Sequence, residues 1–428
     1  MNFIEELQWR GMLHQATPEV EAHLNSGKRI GYIGFDPTAP SLTIGNFVQI
    51  MILKFFQLSG HQPIVLMGGA TGRIGDPSGK DKERDLKSFE ELDANLARQM
   101  EQFKKFLDFD SADNKALVKN NYDFYASMNV LEFLRDIGKN ITVNYMQSKD
   151  SVKTRLSGDG EGMSFTEFSY QVLQGYDFVH LYNNVGCTIQ MGGSDQWGNI
   201  TSGTHLIGKM LEDAKAYAVT TPLLTKADGS KFGKSEEGNI WLDPDMTSPY
   251  KFYQFWINSN DADIPKFIRY FSLKSREEIE AMEKEMEGNP QALKRALADE
   301  LTARVHSPEE LETVKAVTEL LFGKNASKES LLSLPEKALE TIGGEIPKFQ
   351  VAKSDFENGT DITTLLTELT SMLPSKSEAR RAIQGNAVSV NKEKVNQLDE
   401  AITAANLLHG RFIMVENGKK NKFLIEAV

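Results

Sequence analysis

A chain of 428 residues has room for two or three domains with apolar cores of their own, which excludes a mini-protein held together by staples. With 40% apolar, 9% aromatic and 25% charged residues the composition matches ordinary folded proteins, so disorder over the whole length is excluded too. A net charge of −12 excludes a protein that coats nucleic acid over its entire surface and leaves room for a regional basic site. The single cysteine, Cys187, cannot close an internal disulfide, and its apolar neighbours make it a small core residue. No Cys/His cluster has zinc spacing, so no protein-held metal is expected. The N-terminus lacks a basic start followed by an apolar stretch, and no run approaches about 18 apolar residues, so the expectation is a cytoplasmic protein without a membrane segment.

Along the chain, 29–35 and 64–67 read as strands. Between them Phe47, Ile50, Met51, Phe55 and Leu58 recur at helical spacing, which predicts a helix starting near Gly45. Strands alternating with helices over the first two hundred or so residues imply an α/β domain with a parallel sheet. From Ser248 to Phe322 the pattern is helical: Ser275 with Glu278 forms a capping box, and Asn289-Pro290 starts another helix. Residues 323–360 hold Pro335, Gly343-Gly344 and Pro347 without sustained periodicity and read as a linker. The expected organisation is a Rossmann-like catalytic domain (1–230), a loop and helical domain (231–322), this linker, and a small α+β domain (361–428).

Five stretches carry chemistry. Gly34 to Asn46 leaves the first strand and enters the helix; its amides, with Thr38, Thr43 and Asn46 as side-chain donors and Gly45 allowing close approach, make an anion site, although a capped helix after a proline-rich turn explains it equally. Gly75 to Lys80 looks like a P-loop but has three residues between its glycines and Asp81 after the lysine, so a P-loop kinase or GTPase is disfavoured. Lys80 and Arg84 still offer positive charge to a phosphate, and Asp76 can hold an ammonium. Tyr170, Gln174 and Asp177 lie four and three apart, on one helical face, among apolar neighbours. Gly192 to Asn199 follows an apolar strand and places Asp195 where a ribose binds. The loop Lys231-Phe232-Gly233-Lys234-Ser235 presents two ammonium groups and a hydroxyl to a polyphosphate and reads as mobile; from spacing alone a solvated charged loop is the commoner explanation.

In order, the helix-start motif at Thr43 to Asn46 and the lysine loop about 185 residues later resemble the two signatures of class I aminoacyl-tRNA synthetases. Gly31 to Thr38, Gly68 to Ser78, Ser164 to Tyr170 and Gly192 to Asn199 resemble the bacterial tyrosyl-tRNA synthetases, from about residue 30 to the C-terminus. The resemblance implies that Tyr32 and Asp177 bind the phenolic hydroxyl of L-tyrosine, and that Asp76, Tyr170 and Gln174 hold its ammonium. It implies that Gly34, Asp36, Gly45, Gly193, Asp195, Gln196 and Lys234 contact ATP, which arrives with Mg2+. Thr38, Thr43, Asn46, Lys80, Arg84, Lys231, Lys234 and Ser235 would stabilise the charge that develops on the phosphates. The first motif lacks both family histidines, and the loop has Phe232-Gly233 where the general motif has Met-Ser.

From Pro374 onward the chain resembles a small RNA-binding module, with net charge +3 against −15 for the rest, and Lys376, Arg380, Arg381, Lys419 and Lys420 are the expected contacts to tRNA(Tyr). On charge alone a solvated face is equally good. A homodimer is also implied, with Phe165 and 130–146 near its interface. Two rival readings are a tryptophanyl-tRNA synthetase, which often carries the same Thr-Ile-Gly-Asn motif, and a catalytically silent RNA-binding relative.

Overall fold

The computed structural model describes residues 1–78, 87–157, 162–235, 238–323, 327–418 and 421–428. The chain divides into two compact units, residues 1–247 with 254–305 and residues 248–253 with 306–428.

The first unit is built on a sheet of β1 (Gln15–Ala16), β2 (Ile30–Phe35), β3 (Gln62–Met67), β4 (Leu117–Asn120), β5 (Cys187–Gly193) and β6 (Tyr217–Thr221), in the order β1-β6-β5-β2-β3-β4. All neighbours are parallel except the edge pair β1 with β6. Pro63 to Met67 and all of β6 are buried, the continuous apolar run of a sheet covered on both faces. From β2 the chain passes outward through β3 to β4, then returns to lay β5 on the other side of β2. The order reverses there, and a crevice opens beyond the carboxyl ends of β2 and β5.

The expected strands appear as β2 and β3, and the expected helix as Ile44–Leu58, capped by Thr43. Ser275 and Glu278 form their capping box, and Asn289 Oδ1 accepts from Ala292 N–H.

Two expectations about organisation are corrected. The helices Ile264–Phe271, Arg276–Glu285 and Pro290–Val305 belong to the unit that holds the sheet, not to a domain of their own. Two guanidiniums explain this. Arg10, in the first helix, donates to the carbonyls of Arg269, Ser272 and Lys274, and Arg304 donates to that of Phe271, so the end of one helix is capped from two others. Residues 323–360 are not an irregular linker either. They contain the helix Glu336–Glu345, whose buried Ala338, Leu339 and Ile342 form a short apolar stripe around Gly343-Gly344, and the strand Lys348–Val351.

That strand pairs in parallel with Asn421–Ala427, at the edge of the five-stranded sheet of the second unit; the other pairs are antiparallel. The sheet packs with the helix Lys376–Gln384 around Phe356, Ile362, Leu365, Ile383, Val388, Ile413 and Ile425, the small α+β body expected at the C-terminus. Among the described residues no helix is long and apolar enough to cross a membrane.

Candidate active site

A cavity of about 270 Å³ occupies the crevice beyond β2 and β5. It gathers Tyr32, Gly34, Asp36, Thr38, Asn46, Asp76, Tyr170, Gln174, Asp177, Gly193, Asp195 and Gln196, all expected site residues drawn from four separate stretches. Thr71, Asn121 and Gln190 also line it and were not anticipated.

At its inner end lies Tyr32, with its ring edge on Phe178 at 5.4 Å. The Tyr32 hydroxyl is buried and has no hydrogen-bond partner among the described residues; the same is true of Gln190 Oε1. Burial, and then the Asp177 charge, hold that phenol well above its ordinary titration range. Asp177 comes from the helix Phe165–Val185, which turns Tyr170, Gln174 and Asp177 towards the cavity as their spacing predicts. That helix is pressed against Trp197–Met210 at Gly175, where a Cβ would meet Leu206 Cδ1 at 2.7 Å. Asp177 Oδ2 accepts from Asn121 Nδ2 (2.9 Å), and Oδ1 lies 2.7 Å from the Tyr125 hydroxyl. Burial pushes this carboxyl up to about 7; the bonds from Asn121 and Tyr125 oppose the rise, and the charge of Asp36 adds to it.

Nearer the mouth, Asp36 accepts from the Thr71 hydroxyl (2.7 Å) and the Tyr170 hydroxyl (2.8 Å). Only glycine fits at position 68, because a Cβ there would stand 2.0 Å from Asp36 Oδ1. Asp76 accepts from Ser78 N–H (2.9 Å), Gln196 Nε2 (2.7 Å) and Asn199 Nδ2 (3.3 Å). Tyr170, having donated its proton, keeps an acceptor lone pair.

The helix start is more committed than expected. The Thr43 hydroxyl donates to Asn46 Oδ1 (2.8 Å) and accepts from Asn46 N–H (3.3 Å), and Thr43 does not line the cavity. In this arrangement it is a helix cap rather than a phosphate donor, because its one proton is already placed. Asn46 keeps its Nδ2 hydrogens, and of the first-turn amides only that of Gly45 remains, since Ile44 N–H donates to Ile240 O and Asn46 N–H to Thr43 Oγ1.

The lysine loop lies against this helix start. Ile44 N–H donates to Ile240 O (2.9 Å), Ile240 N–H donates to Gly233 O (3.0 Å), and Thr43 bridges Trp241. Gly233 has φ +85° and passes so close that a Cβ would meet Ile44 Cγ2 at 2.7 Å. Phe232 is seated among Phe255, Trp256, Phe267 and Phe271, with ring centroids 5.0–6.0 Å away. The expected mobile loop is therefore anchored through its middle, while Lys231 and Lys234 on either side are exposed and outside the cavity lining. Lys80, Arg84, Lys419 and Lys420 lie outside the described residues, as does the side chain of Ser235.

In the second unit, Lys376 pairs with Glu368 at 2.8 Å, and Arg380 and Arg381 are exposed on the same helix. Cys187 is buried and its thiol is pushed up to about 12 by burial, as befits a core residue. No group of three or more His, Cys, Asp or Glu among the described residues is placed to hold a metal ion.

Comparison with known proteins agrees with this geometry. The family of class I tRNA synthetases (W and Y) matches residues 25–323, and the tyrosine–tRNA ligase SYY-like C-terminal domain matches residues 339–425. The tyrosine–tRNA ligase of Flavobacterium johnsoniae is 51% identical over 100% of both chains, and that of Cytophaga hutchinsonii 52% identical over 99% of both. A solved structure, the C-terminally truncated mitochondrial tyrosyl-tRNA synthetase of Aspergillus nidulans, is 31% identical with a TM-score of 0.68, covering 75% of this chain and 94% of its own. A cavity at the sheet's switch point, the helix-start motif and the lysine loop brought side by side, and full-length likeness to these relatives lead to one assignment: the chain belongs to the tyrosine–tRNA ligases, within the class I tRNA synthetases.

Proposed function

We infer that this enzyme activates L-tyrosine with ATP, forming tyrosyl-adenylate and pyrophosphate, and then transfers tyrosine to the 3′ end of tRNA(Tyr). The observation that carries the choice of amino acid is the buried Tyr32 hydroxyl, unpartnered among the described residues, in the same cavity end as Asp177. A phenol satisfies both groups. Phenylalanine would leave the Tyr32 hydroxyl buried and unpaired and the remaining lone pair of Asp177 unfilled, a penalty for which this family is itself the usual example. Full-length relatives named for tyrosine support the same choice over tryptophan.

Asp76, Tyr170 and Gln174 hold the ammonium, which leaves the carboxylate facing the mouth. That carboxylate is already ionised and attacks the α-phosphate in line, so the first step needs no base. Gly34, Asp36, Gly45, Gly193, Asp195 and Gln196 hold the nucleotide. Asn46 Nδ2, the Gly45 amide, Thr38, Lys231 and Lys234 stabilise charge on the departing pyrophosphate, together with Lys80, Arg84 and Ser235. Magnesium enters as part of the nucleotide substrate. With Thr43 engaged as a cap and no histidine in its motif, the loop lysines carry most of the positive charge. Exposed Arg380 and Arg381 support tRNA binding by the second unit.

The test is ATP–pyrophosphate exchange with tyrosine, tryptophan and phenylalanine in turn, followed by charging of tRNA(Tyr). Exchange driven by tyrosine and followed by charging is the expected result. Exchange driven by tryptophan, or by none of the three, would sink the assignment.

A further inference from the structure

The two ends of the pocket are joined by one chain of hydrogen bonds, and most of its protons are fixed by its geometry. Ala70 N–H donates to Asn121 Oδ1 (2.7 Å), so the Asn121 amide must turn Nδ2 towards Thr71 Oγ1 (3.0 Å) and Asp177 Oδ2 (2.9 Å). Thr71 then donates to one oxygen of Asp36 while Tyr170 donates to the other. One link stays undetermined. The Tyr125 hydroxyl oxygen lies 2.7 Å from the Leu173 carbonyl and 2.7 Å from Asp177 Oδ1, and its single proton cannot serve two acceptors.

Two arrangements fit. With Asp177 neutral, its own proton sits on Oδ1 and is donated to Tyr125, which donates onward to the Leu173 carbonyl. With Asp177 ionised, Tyr125 rotates its proton onto Oδ1. Oδ2 accepts from Asn121 in both, and its remaining lone pair is open to a ligand.

We propose that Tyr125 is a positioning residue for amino-acid selection, exchanging the roles of acceptor and donor towards Asp177 so that the empty pocket keeps this carboxyl neutral and a bound phenol meets it ionised. The proposal rests on the reading of Asp177 as the partner of the substrate hydroxyl. The groups facing Asp177 are Tyr32 from β2, Asp36 beyond it, Tyr125 and the neutral Asn121 after β4, and Tyr170 and Tyr176 on its own helix. No cation figures among the influences on its titration, and burial alone outweighs its two hydrogen bonds. A phenolic O–H gives a stronger bond to an ionised oxygen than to a neutral one. Tyrosine binding therefore strengthens as pH rises through the titration of Asp177, and phenylalanine, which has no hydroxyl to donate, does not follow.

The experiment is ATP–pyrophosphate exchange with tyrosine and with phenylalanine between about pH 5.5 and 8.5, a range that brackets an acid titrating near neutrality. It is run on the wild-type chain, Tyr125→Phe and Asp177→Asn, each first shown to unfold cooperatively. In the wild type the tyrosine KM should fall about tenfold across the range, the ratio expected between a neutral and a charge-assisted bond, with less effect on kcat. Tyr125→Phe should move the inflection to higher pH, because the ionised carboxylate loses the stronger of the two bonds, and should raise the tyrosine KM at neutral pH while the phenylalanine KM stays put. Asp177→Asn should flatten the profile. A Tyr125→Phe profile that superimposes on the wild type, or a flat wild-type profile, overturns the role of Tyr125. A wild type that fails to prefer tyrosine over phenylalanine at every pH instead overturns the reading of Asp177 on which the proposal rests.

Discussion

Asp177 is 2% exposed and titrates at about 7, whereas an aspartate in the unfolded chain titrates near ~4. Between those values the folded protein retains a proton that the unfolded chain has released, so stability falls as pH rises through this window and is level above it. The total is on the order of 4 kcal/mol at one site. Asp177→Asn removes the titration, and its melting temperature should gain on the wild type between about pH 5 and pH 8 while its tyrosine KM rises. Thermal denaturation at several pH values checks this, and parallel curves for the two proteins would contradict it. At this scale the spacing of Tyr170, Gln174 and Asp177 was legible, because a helix fixes which side chains share a face. Asn121 and Tyr125 were not, since their roles depend on β4 lying beside β3, about fifty residues of chain away from the helix they serve.

Among the elements, the lysine loop shows how a departure from a general motif acquires a physical reason. Phe232 fills an aromatic cluster and Gly233 takes a left-handed turn against Ile44, so the pair Phe-Gly fixes the loop to the very helix whose N-terminus faces the cavity. Gly233→Ala meets both a strained φ and a 2.7 Å contact with Ile44 Cγ2. A loss of about 1–3 kcal/mol in stability is expected. The adenylation rate at saturating tyrosine should fall while the tyrosine KM hardly changes, since the loop lies outside the amino-acid pocket. Pyrophosphate exchange with separate titration of ATP and tyrosine measures this; an unaltered rate would show that the loop's seat has no part in catalysis. The ordered pair of motifs was readable from sequence. The anchoring between them was not, because the residues that seat Phe232 come from helices beginning some twenty to thirty positions further on.

For the molecule as a whole, large apolar side chains stand open to solvent on two neighbouring stretches: Val130 (67% exposed), Leu131 (74%), Leu134 (51%), Val143 (57%) and Phe165 (78%). A water-facing surface of that kind calls for a partner, and its place in the sequence coincides with the expected homodimer contact. Light scattering of the purified chain should give twice the monomer mass, and the double variant Leu131→Asp with Leu134→Asp should shift it to monomer. A wild type that scatters as a monomer would overturn the dimer.

The class of fold, the ordered pair of motifs at 43–46 and 231–235 and the shared helical face of Tyr170, Gln174 and Asp177 were determined by the sequence itself. Each rests on local rules: strand and helix periods, glycine at turns, and side chains three or four apart on one helical face. Tertiary structure alone decided that the helices after residue 263 join the sheet-bearing unit and that residues 348–351 complete the second sheet. It also decided that Thr43 gives its proton to a cap and that Asp177 sits dry beside Tyr125. These outcomes depend on which distant groups meet and how much water they exclude, and neither quantity is written in the spacing of residues along the chain.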